Sequence, residues 1–259
     1  MLSIRPFNPV FFGLVALIVL ALAGIRHFGK THSVQQRERL LLILSAVNLV
    51  LFFVYKSCLS VDREFLALSG LERFNWFSEL PLQLCNINLF LIPIGVLTRR
   101  RSLLGFSFYV APLGAAMALL FPEVPFTGFS LFLPRILGFY CTHALLIVCG
   151  LALALLDFCR PTPRDYPGVI GTFVLLALGA HLINLILRAT VCPGANYFFT
   201  FGADVSILNL FWRFIPHPFF YELPSLLILL GYMGLVQLIV WGLEQLARKK
   251  AAETEEITV

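Results

Sequence analysis

Long apolar stretches alternate along the chain with short segments that hold nearly all of the charge. A helix needs about 20 apolar residues to cross the ~30 Å hydrocarbon core of a bilayer. Helices also satisfy their own backbone hydrogen bonds there. The pattern therefore predicts an all-α, polytopic membrane helix bundle that forms a single domain over residues 1–259. We place about seven transmembrane helices, at residues 9–25, 40–56, 80–98, 103–121, 134–156, 168–187 and 223–243.

The composition agrees with a membrane protein. Apolar residues make up 59% of the chain and charged residues only 13%, with a mean hydropathy of +0.89. A soluble domain has roughly 25% charged residues. The net charge of +5 is interpreted as a topology signal and an attraction to anionic lipid headgroups. We therefore expect membrane lipids and no nucleic acid as partners.

The first apolar stretch has features of a secretory signal peptide. Ala21-Leu22-Ala23 resembles a cleavage site that follows a short apolar region. However, Arg26, His27 and Lys30 come directly afterwards, and positive charge in that place usually anchors a helix. We expect the stretch to be retained as the first helix.

Lysine and arginine residues indicate the orientation, because they stay on the cytoplasmic side in short loops. With the N-terminus outside, twelve of them lie inside and seven outside. The inner ones are Arg26, Lys30, Arg37, Arg39, Arg99, Arg100, Arg101, Arg160, Arg164, Arg248, Lys249 and Lys250; the outer ones are Arg5, Lys56, Arg63, Arg73, Arg135, Arg188 and Arg213. We predict a multi-pass protein of the cell (cytoplasmic) membrane with the N-terminus outside and a short acidic cytoplasmic tail, residues 248–259.

Three of the predicted helices carry polar residues inside the membrane, where such side chains are costly and face protein or water. They are Cys85 and Asn88 in the third helix, Tyr140 and His143 in the fifth, and His181, Asn184 and Arg188 in the sixth. The last three have the spacing i, i+3, i+7, which places them on one helix face. Counted from the outer helix ends, Cys85, His143 and His181 lie about 8 to 14 Å deep. Ester carbonyls of outer-leaflet lipids lie in the same layer.

A cysteine and a histidine at this depth suggest nucleophilic chemistry on an ester. A thiol in apolar surroundings is mostly protonated and needs a base. A histidine within hydrogen-bonding reach supplies one, and an amide such as Asn88 can stabilise the oxyanion that forms. The alternative is ordinary packing for Cys85 and an interhelical hydrogen bond for His143 or His181.

The other cysteines and histidines give weaker indications of function. Cys58 and Cys192 both fall at the outer face and could form a disulfide in an oxidising compartment. Cys141, Cys149 and Cys159 have no polar neighbours at a useful spacing and are interpreted as packing residues. The five histidines are scattered and form no metal motif, and we expect no cofactor.

Several motifs carry a resemblance to a known family. Leu80-Pro81-Leu82-Gln83-Leu84-Cys85 resembles the Leu-Pro-Leu-His-Leu-Cys signature of the YwaF-like integral membrane family, which is related to the animal transmembrane protein 164 acyltransferases. Two further matches are Gly138-Phe139-Tyr140-Cys141-Thr142-His143 and Gly194-Ala195-Asn196-Tyr197-Phe198 with Ile215-Pro216-His217-Pro218. The similarity runs in order from about residue 40 to residue 243.

This resemblance implies a seven-helix bundle and, from the animal relatives, a cysteine-dependent transfer of fatty acyl groups between phospholipids. Cys85 would be the nucleophile and His143 its partner. The chain departs from the family pattern at Gln83, where histidine is usual, and at Ala144, where glycine is common. Gln83 would lie about 200° around a helix from Cys85, so its identity need not affect the pair.

We therefore expect lipid acyl transfer or acyl-ester cleavage at the outer leaflet, acting on a phospholipid or another amphipathic substrate. The expected substrate-binding residues are Asn88, Tyr140, His181, Asn184, Arg188, Asn196 and Tyr197. The alternative function is a membrane binding or transport protein for a small amphipathic ligand that uses the same polar pocket without covalent chemistry. In a third interpretation the polar layer only fixes helix packing.

Overall fold

A computed structural model describes residues 2–202 and 206–258, and these residues form a helical bundle. The α-helices are α1 Pro9–Thr31, α2 Val34–Val61, α3 Arg63–Leu68, α4 Asn88–Thr98, α5 Arg101–Leu120, α6 Pro134–Leu155, α7 Tyr166–Thr190, α8 Ser206–Phe214 and α9 Ser225–Thr258. Within these described ranges, six helices are long and apolar enough to cross a membrane, namely α1, α2, α5, α6, α7 and α9. The prediction of a multi-pass helical membrane protein is confirmed.

The first two helices begin where their sequences favour a helix start. The Asn8 side chain accepts a hydrogen bond from the N–H of Phe11 at 2.9 Å, and Pro9 occupies the first helical position. Ser33 and Gln36 form a reciprocal capping box at the start of α2. The end of the bundle at which α1 begins is called the outer end below, and the opposite end is called the inner end.

Helix α6 lies at the centre of the bundle and packs against α1, α2 and α5. Two of its glycines permit the closest approaches. A Cβ at Gly138 would lie 2.1 Å from Cβ of Tyr55 on α2, and one at Gly150 would lie 2.7 Å from Cδ of Pro112 on α5. Such distances leave no space for a side chain, so these positions fix how α6 sits between its neighbours.

The predicted third helix, residues 80–98, is wrong as a continuous helix, because only Asn88–Thr98 is helical. The preceding segment uses its polar groups for sideways contacts. The N–H of Leu80 donates to the Tyr197 hydroxyl at 2.9 Å, and the Gln83 amide accepts from the N–H of Phe198 at 3.0 Å. These bonds to a distant part of the chain replace the local ones that a helix would require.

Residues 79–99 nevertheless extend along most of α2. Glu79 forms an ion pair with Lys56 near the outer end of α2, and Arg99 forms one with Glu38 near its inner end. Lys56 and Glu38 are 18 residues apart, which corresponds to about 27 Å of helix. The segment therefore has the reach of an interrupted span, and a seventh crossing stays a prediction, as does the orientation.

Much of the described connection over residues 188–222 lies beside α7. Its contacts descend that helix in order: Arg188 donates to the Ala195 carbonyl, Asn184 to the Tyr197 carbonyl, and His181 contacts Thr200. Further down, Ala177 and Glu222 line one groove. Ala177 is 13 residues from the outer end of α7, or about 20 Å. The last helix thus begins well inside the bundle.

Candidate functional site

The non-helical segment before α4 positions Cys85 in the outer half of the bundle. Its backbone rests on α5, because a Cβ at Gly114 would lie 3.3 Å from Cβ of Cys85 and 3.5 Å from its Cα. The Cys85 side chain is half-buried. Irregular backbone at membrane depth occurs where it is buried in protein or lines a cavity, and it often marks a functional site.

Cys85 and His143 lie in contact. The distance from Cys85 Sγ to His143 Nε2 is 3.8 Å, and Sγ lies 3.6 Å from Oδ1 of Asn86. His143 Nδ1 is 2.8 Å from the carbonyl oxygen of Phe139. A carbonyl can only accept, so Nδ1 carries a proton, and in the neutral ring Nε2 presents its lone pair to the thiol. This arrangement fits a neutral histidine that acts as a base.

Backbone donors also lie close to the sulfur. The N–H groups of Asn86 and of Cys85 itself are near enough to interact with Sγ. Both precede the first turn of α4, where N–H groups lack helical partners and the helix dipole favours negative charge. They are the donors that could meet an oxyanion next to Cys85.

Asn88 was expected to stabilise the oxyanion, but its amide N–H₂ group donates to a backbone carbonyl instead. Nδ2 donates to the Leu84 carbonyl at 2.9 Å, and the side chain is fully buried. Its Oδ1 has no partner among the described residues. Asn88 therefore holds the turn that contains Cys85, and the backbone N–H groups of Cys85 and Asn86 are better placed for the oxyanion.

Aromatic rings cover His143 towards the outer end. Phe139 lies 4.4 Å from the His143 ring, and Phe126 stacks on Phe139 at 4.5 Å. Tyr140 lies one turn before His143 and is 1% exposed, with a hydroxyl that has no partner in the described part of the chain. The histidine is thus enclosed by apolar surfaces, which strengthen electrostatic interactions inside the site.

A buried ion pair lies close enough to the cysteine and histidine for its cation to act on both electrostatically. Lys56 is 7% exposed, pairs with Glu79, and interacts electrostatically with both Cys85 and His143. From the sequence, Lys56 was counted only among the charges of the outer segments. The sequence did contain a sign of this pair: the lysine lies in the last turns of an apolar helix, and the glutamate directly precedes the Leu-Pro motif.

The remaining predicted site residues form a separate cluster on α7 and the connection after it. The hydrogen-bonded pairs are Asn184 with Tyr197 at 2.8 Å, Asn184 with Thr200 at 2.9 Å and His181 with Thr200 at 3.1 Å. Asn196 donates to the Gly202 carbonyl, and the Tyr197 hydroxyl donates to the Phe77 carbonyl at 2.8 Å. Arg188 also lies 4.6 Å from the Phe201 ring. These residues stabilise the connection, and the single polar pocket expected from the sequence divides into two clusters.

The two clusters are joined through the segment before Cys85. Gln83, which stands where the related family has histidine, contacts the Asn196 carbonyl at 3.4 Å and the N–H of Phe198 at 3.0 Å. It therefore fastens the Cys85 segment to the connection after α7. The disulfide that Cys58 and Cys192 could form is not present, since both are free thiols in the structure.

Fold and site together define a multi-pass helical membrane protein with a cysteine and histidine pair beside the start of a short helix. Residues 3–239 match the TMEM164 family, which covers nearly the whole chain. The chain belongs to the TMEM164 family. No curated protein and no solved structure shows significant similarity to it.

Proposed function

We propose that this protein transfers acyl groups between membrane lipids, with Cys85 as the nucleophile and His143 as its base. The observation that carries the proposal is the 3.8 Å contact between Cys85 Sγ and Nε2 of His143, whose Nδ1 is held by the Phe139 carbonyl. A separation slightly above a tight hydrogen bond is usual in an unliganded site, because catalytic contacts shorten when substrate binds.

The chemistry proceeds in two half-reactions. His143 Nε2 accepts the thiol proton as Sγ attacks the ester carbonyl of a donor lipid, and the N–H groups of Cys85 and Asn86 stabilise the oxyanion. The carbon–oxygen ester bond then breaks, and the leaving alcohol oxygen takes the proton from His143. This releases a lysolipid and leaves a thioester on Cys85. A hydroxyl of an acceptor lipid attacks the thioester with His143 again as base, which regenerates the thiol.

Depth supports a lipid ester as the substrate. His143 is nine residues from the outer end of α6, or about 14 Å, and Gly114, which touches Cys85, is six residues from the outer end of α5, or about 9 Å. Acyl ester groups of a lipid leaflet lie below the headgroups in this range. The lysine and arginine distribution favours the outer leaflet of the cytoplasmic membrane, with the C-terminus inside.

The test uses purified protein in lipid nanodiscs with a phospholipid that carries a labelled acyl chain and an unlabelled lysophospholipid. Cys85→Ser and His143→Gln should each reduce transfer by about 100-fold or more, since nucleophile and base are both lost. Cys141→Ser, at a half-buried position on α6, is the matched control and should retain activity. Mass spectrometry should detect the acyl thioester on Cys85. Full activity of Cys85→Ser would overturn the proposal.

A second candidate, binding of an amphipathic ligand without covalent chemistry, is favoured by a different observation. Glu222 is 7% exposed, and its Oε1 has no partner among the described residues. It lines a shallow groove between α7 and the start of α9 with Phe173, Ala177 and Phe219. A carboxylate in this position is a binding-site candidate. Saturable lysolipid binding without measurable acyl transfer, lost in Glu222→Leu, would favour this function.

A further inference from the structure

Lys56 is a cation enclosed by protein near the outer end of α2. It is 7% exposed, and its Nζ lies 4.9 Å from the Tyr55 ring centroid and 5.5 Å from that of Phe52. Its described ionic partner is the Glu79 carboxylate. Burial of an ammonium is costly, and a buried ion pair contributes little to stability compared with apolar packing. Such a pair is therefore a candidate for a functional role.

The position of Lys56 connects it with the Cys85 site. Its charge acts on both Cys85 and His143. Its neighbour Tyr55 packs directly on Gly138 of α6, five residues before His143. Lys56 also lies five residues from the end of α2, about 8 Å along the helix. It is thus at or slightly outside the level of the reacting sulfur.

In a glycerophospholipid the phosphate lies a few bonds from the ester carbonyls, on the headgroup side. Lys56 is close enough to Cys85 to act on it electrostatically, so a lipid whose ester carbonyl reaches Cys85 brings its phosphate towards Lys56. Lysine is a common phosphate ligand. The Glu79 side chain can move away from Lys56, because it is 21% exposed and lies outside any α-helix.

We propose that Lys56 binds the phosphate group of the lipid whose ester is presented to Cys85, and that Glu79 occupies the ammonium in the free protein. This inference rests on the proposed function for the identity of the reacting ester. When the lipid binds, the phosphate replaces the Glu79 carboxylate, which turns towards water, so that the ammonium keeps one anionic partner. Lys56 would then be a specificity-determining residue for phospholipids over neutral glycerolipids.

The test measures ligand binding through the reactivity of Cys85. Purified protein is alkylated with N-ethylmaleimide in the presence of dihexanoylphosphatidylcholine, dihexanoylglycerol or inorganic phosphate, and labelling of Cys85 is quantified by mass spectrometry. In the wild-type protein the phosphatidylcholine should protect Cys85 at about tenfold lower concentration than the diacylglycerol, as expected for a charge-assisted contact. Inorganic phosphate alone should not protect.

Variants separate phosphate recognition from a merely structural ion pair. Lys56→Met should bring the two lipids within about twofold of each other, whereas Lys56→Arg should keep the preference because it keeps the charge. Glu79→Gln should preserve or increase protection by the phosphatidylcholine, because the competing carboxylate is gone. A structural pair predicts the opposite, since loss of either partner would disturb the site. Lys30→Met, at the inner end of α1, is the control and should behave like the wild type.

Equal protection by both lipids in the wild-type protein would overturn the role of Lys56 and leave the proposed acyl transfer intact. Protection by inorganic phosphate alone would also overturn it, because the site would then take the free anion. If neither lipid protects Cys85, the proposed function fails instead. These outcomes are distinct because the readout is alkylation and does not depend on turnover.

Discussion

Gly114 on α5 lies directly against Cys85: a Cβ at Gly114 would be 3.3 Å from the cysteine Cβ, 3.5 Å from its Cα and 3.6 Å from its backbone nitrogen. Contacts this short involve backbone atoms, which cannot rotate away as a side chain would. The α5 backbone therefore supports the segment that carries the proposed nucleophile and helps to set its distance from His143.

Replacement of Gly114 should consequently displace Cys85. Gly114→Ala forces a shift of a few tenths of an ångström, and we expect about a tenfold loss of acyl transfer, while Gly114→Val should lose more, since small misplacements at a reacting centre are costly. The assay is transfer between labelled lipids in nanodiscs. Gly171→Ala on α7, where the added methyl meets no atom within 4 Å, is the control. Unchanged activity in Gly114→Val would contradict this support role.

Asn184 is predicted to stabilise the connection after α7 without a direct part in chemistry. It donates to the Tyr197 carbonyl at 2.8 Å and accepts from the Tyr197 N–H at 2.8 Å. Asn184→Ala leaves the Tyr197 N–H without its partner and the Tyr197 carbonyl with only the longer 3.4 Å bond from the Thr200 N–H. We expect a loss of about 1–3 kcal/mol in the free energy of unfolding. Limited proteolysis within residues 192–202 should accelerate.

The control for Asn184 is Thr190→Ala, because the Thr190 hydroxyl bonds only to the Ile186 carbonyl within its own helix. Its stability should stay within about 0.5 kcal/mol of the wild type. An Asn184→Ala protein of normal stability that has lost acyl transfer would instead place Asn184 in substrate binding.

Arg135 and Asp62 should make stability sensitive to acid. Arg135 is 1% exposed and donates to Asp62 at 2.7 Å. Burial alone would raise the pKa of Asp62, but the Phe65 N–H and the Arg135 guanidinium outweigh it and lower that pKa. A carboxyl whose pKa is lower in the folded than in the unfolded protein stabilises the fold above its unfolded pKa of about 3.9, and the contribution disappears as pH falls through the folded value.

The difference in unfolding free energy between the wild-type protein and Asp62→Asn should therefore be largest near neutral pH and decrease below about pH 4. Chemical denaturation in detergent micelles at several pH values measures it. Glu72→Gln, an exposed position in the same connection, should leave the pH profile unchanged. A difference that is constant down to pH 2 would show that Asp62 acts only through its neutral hydrogen bonds.

Apolar periodicity predicted six of the helices. Each of them satisfies its backbone hydrogen bonds within itself, so the local sequence is sufficient to predict it. Periodicity failed at residues 80–87, where Gln83 bonds to Asn196 and Phe198, more than 110 positions away. Periodicity carries no information on the path of the connection after α7, which depends on contacts with Asn184 and His181. The proximity of Cys85 to His143 followed from depth and motif, whereas Lys56 and Gly114 depend on packing between helices, which the sequence does not display.

The last prediction is that residues 79–99 cross the membrane, so that Ser78 and Arg100 lie on opposite sides of it. Glu79 and Arg99 contact α2 at positions about 27 Å apart along its axis, close to the thickness of the hydrocarbon core. Eleven residues of helix cover only about 16 Å, so residues 80–87 must supply the rest.

Ser78 and Arg100 are exposed, so cysteines introduced there can react with a membrane-impermeant thiol reagent. The variants Ser78→Cys and Arg100→Cys are made in a background without other cysteines. In intact spheroplasts Ser78→Cys should react and Arg100→Cys should not, and the pattern should reverse in inverted vesicles. Reaction of both from one side would show that the segment returns to the face from which it starts, and the proposed outer-leaflet access to Cys85 would then have to be reassigned.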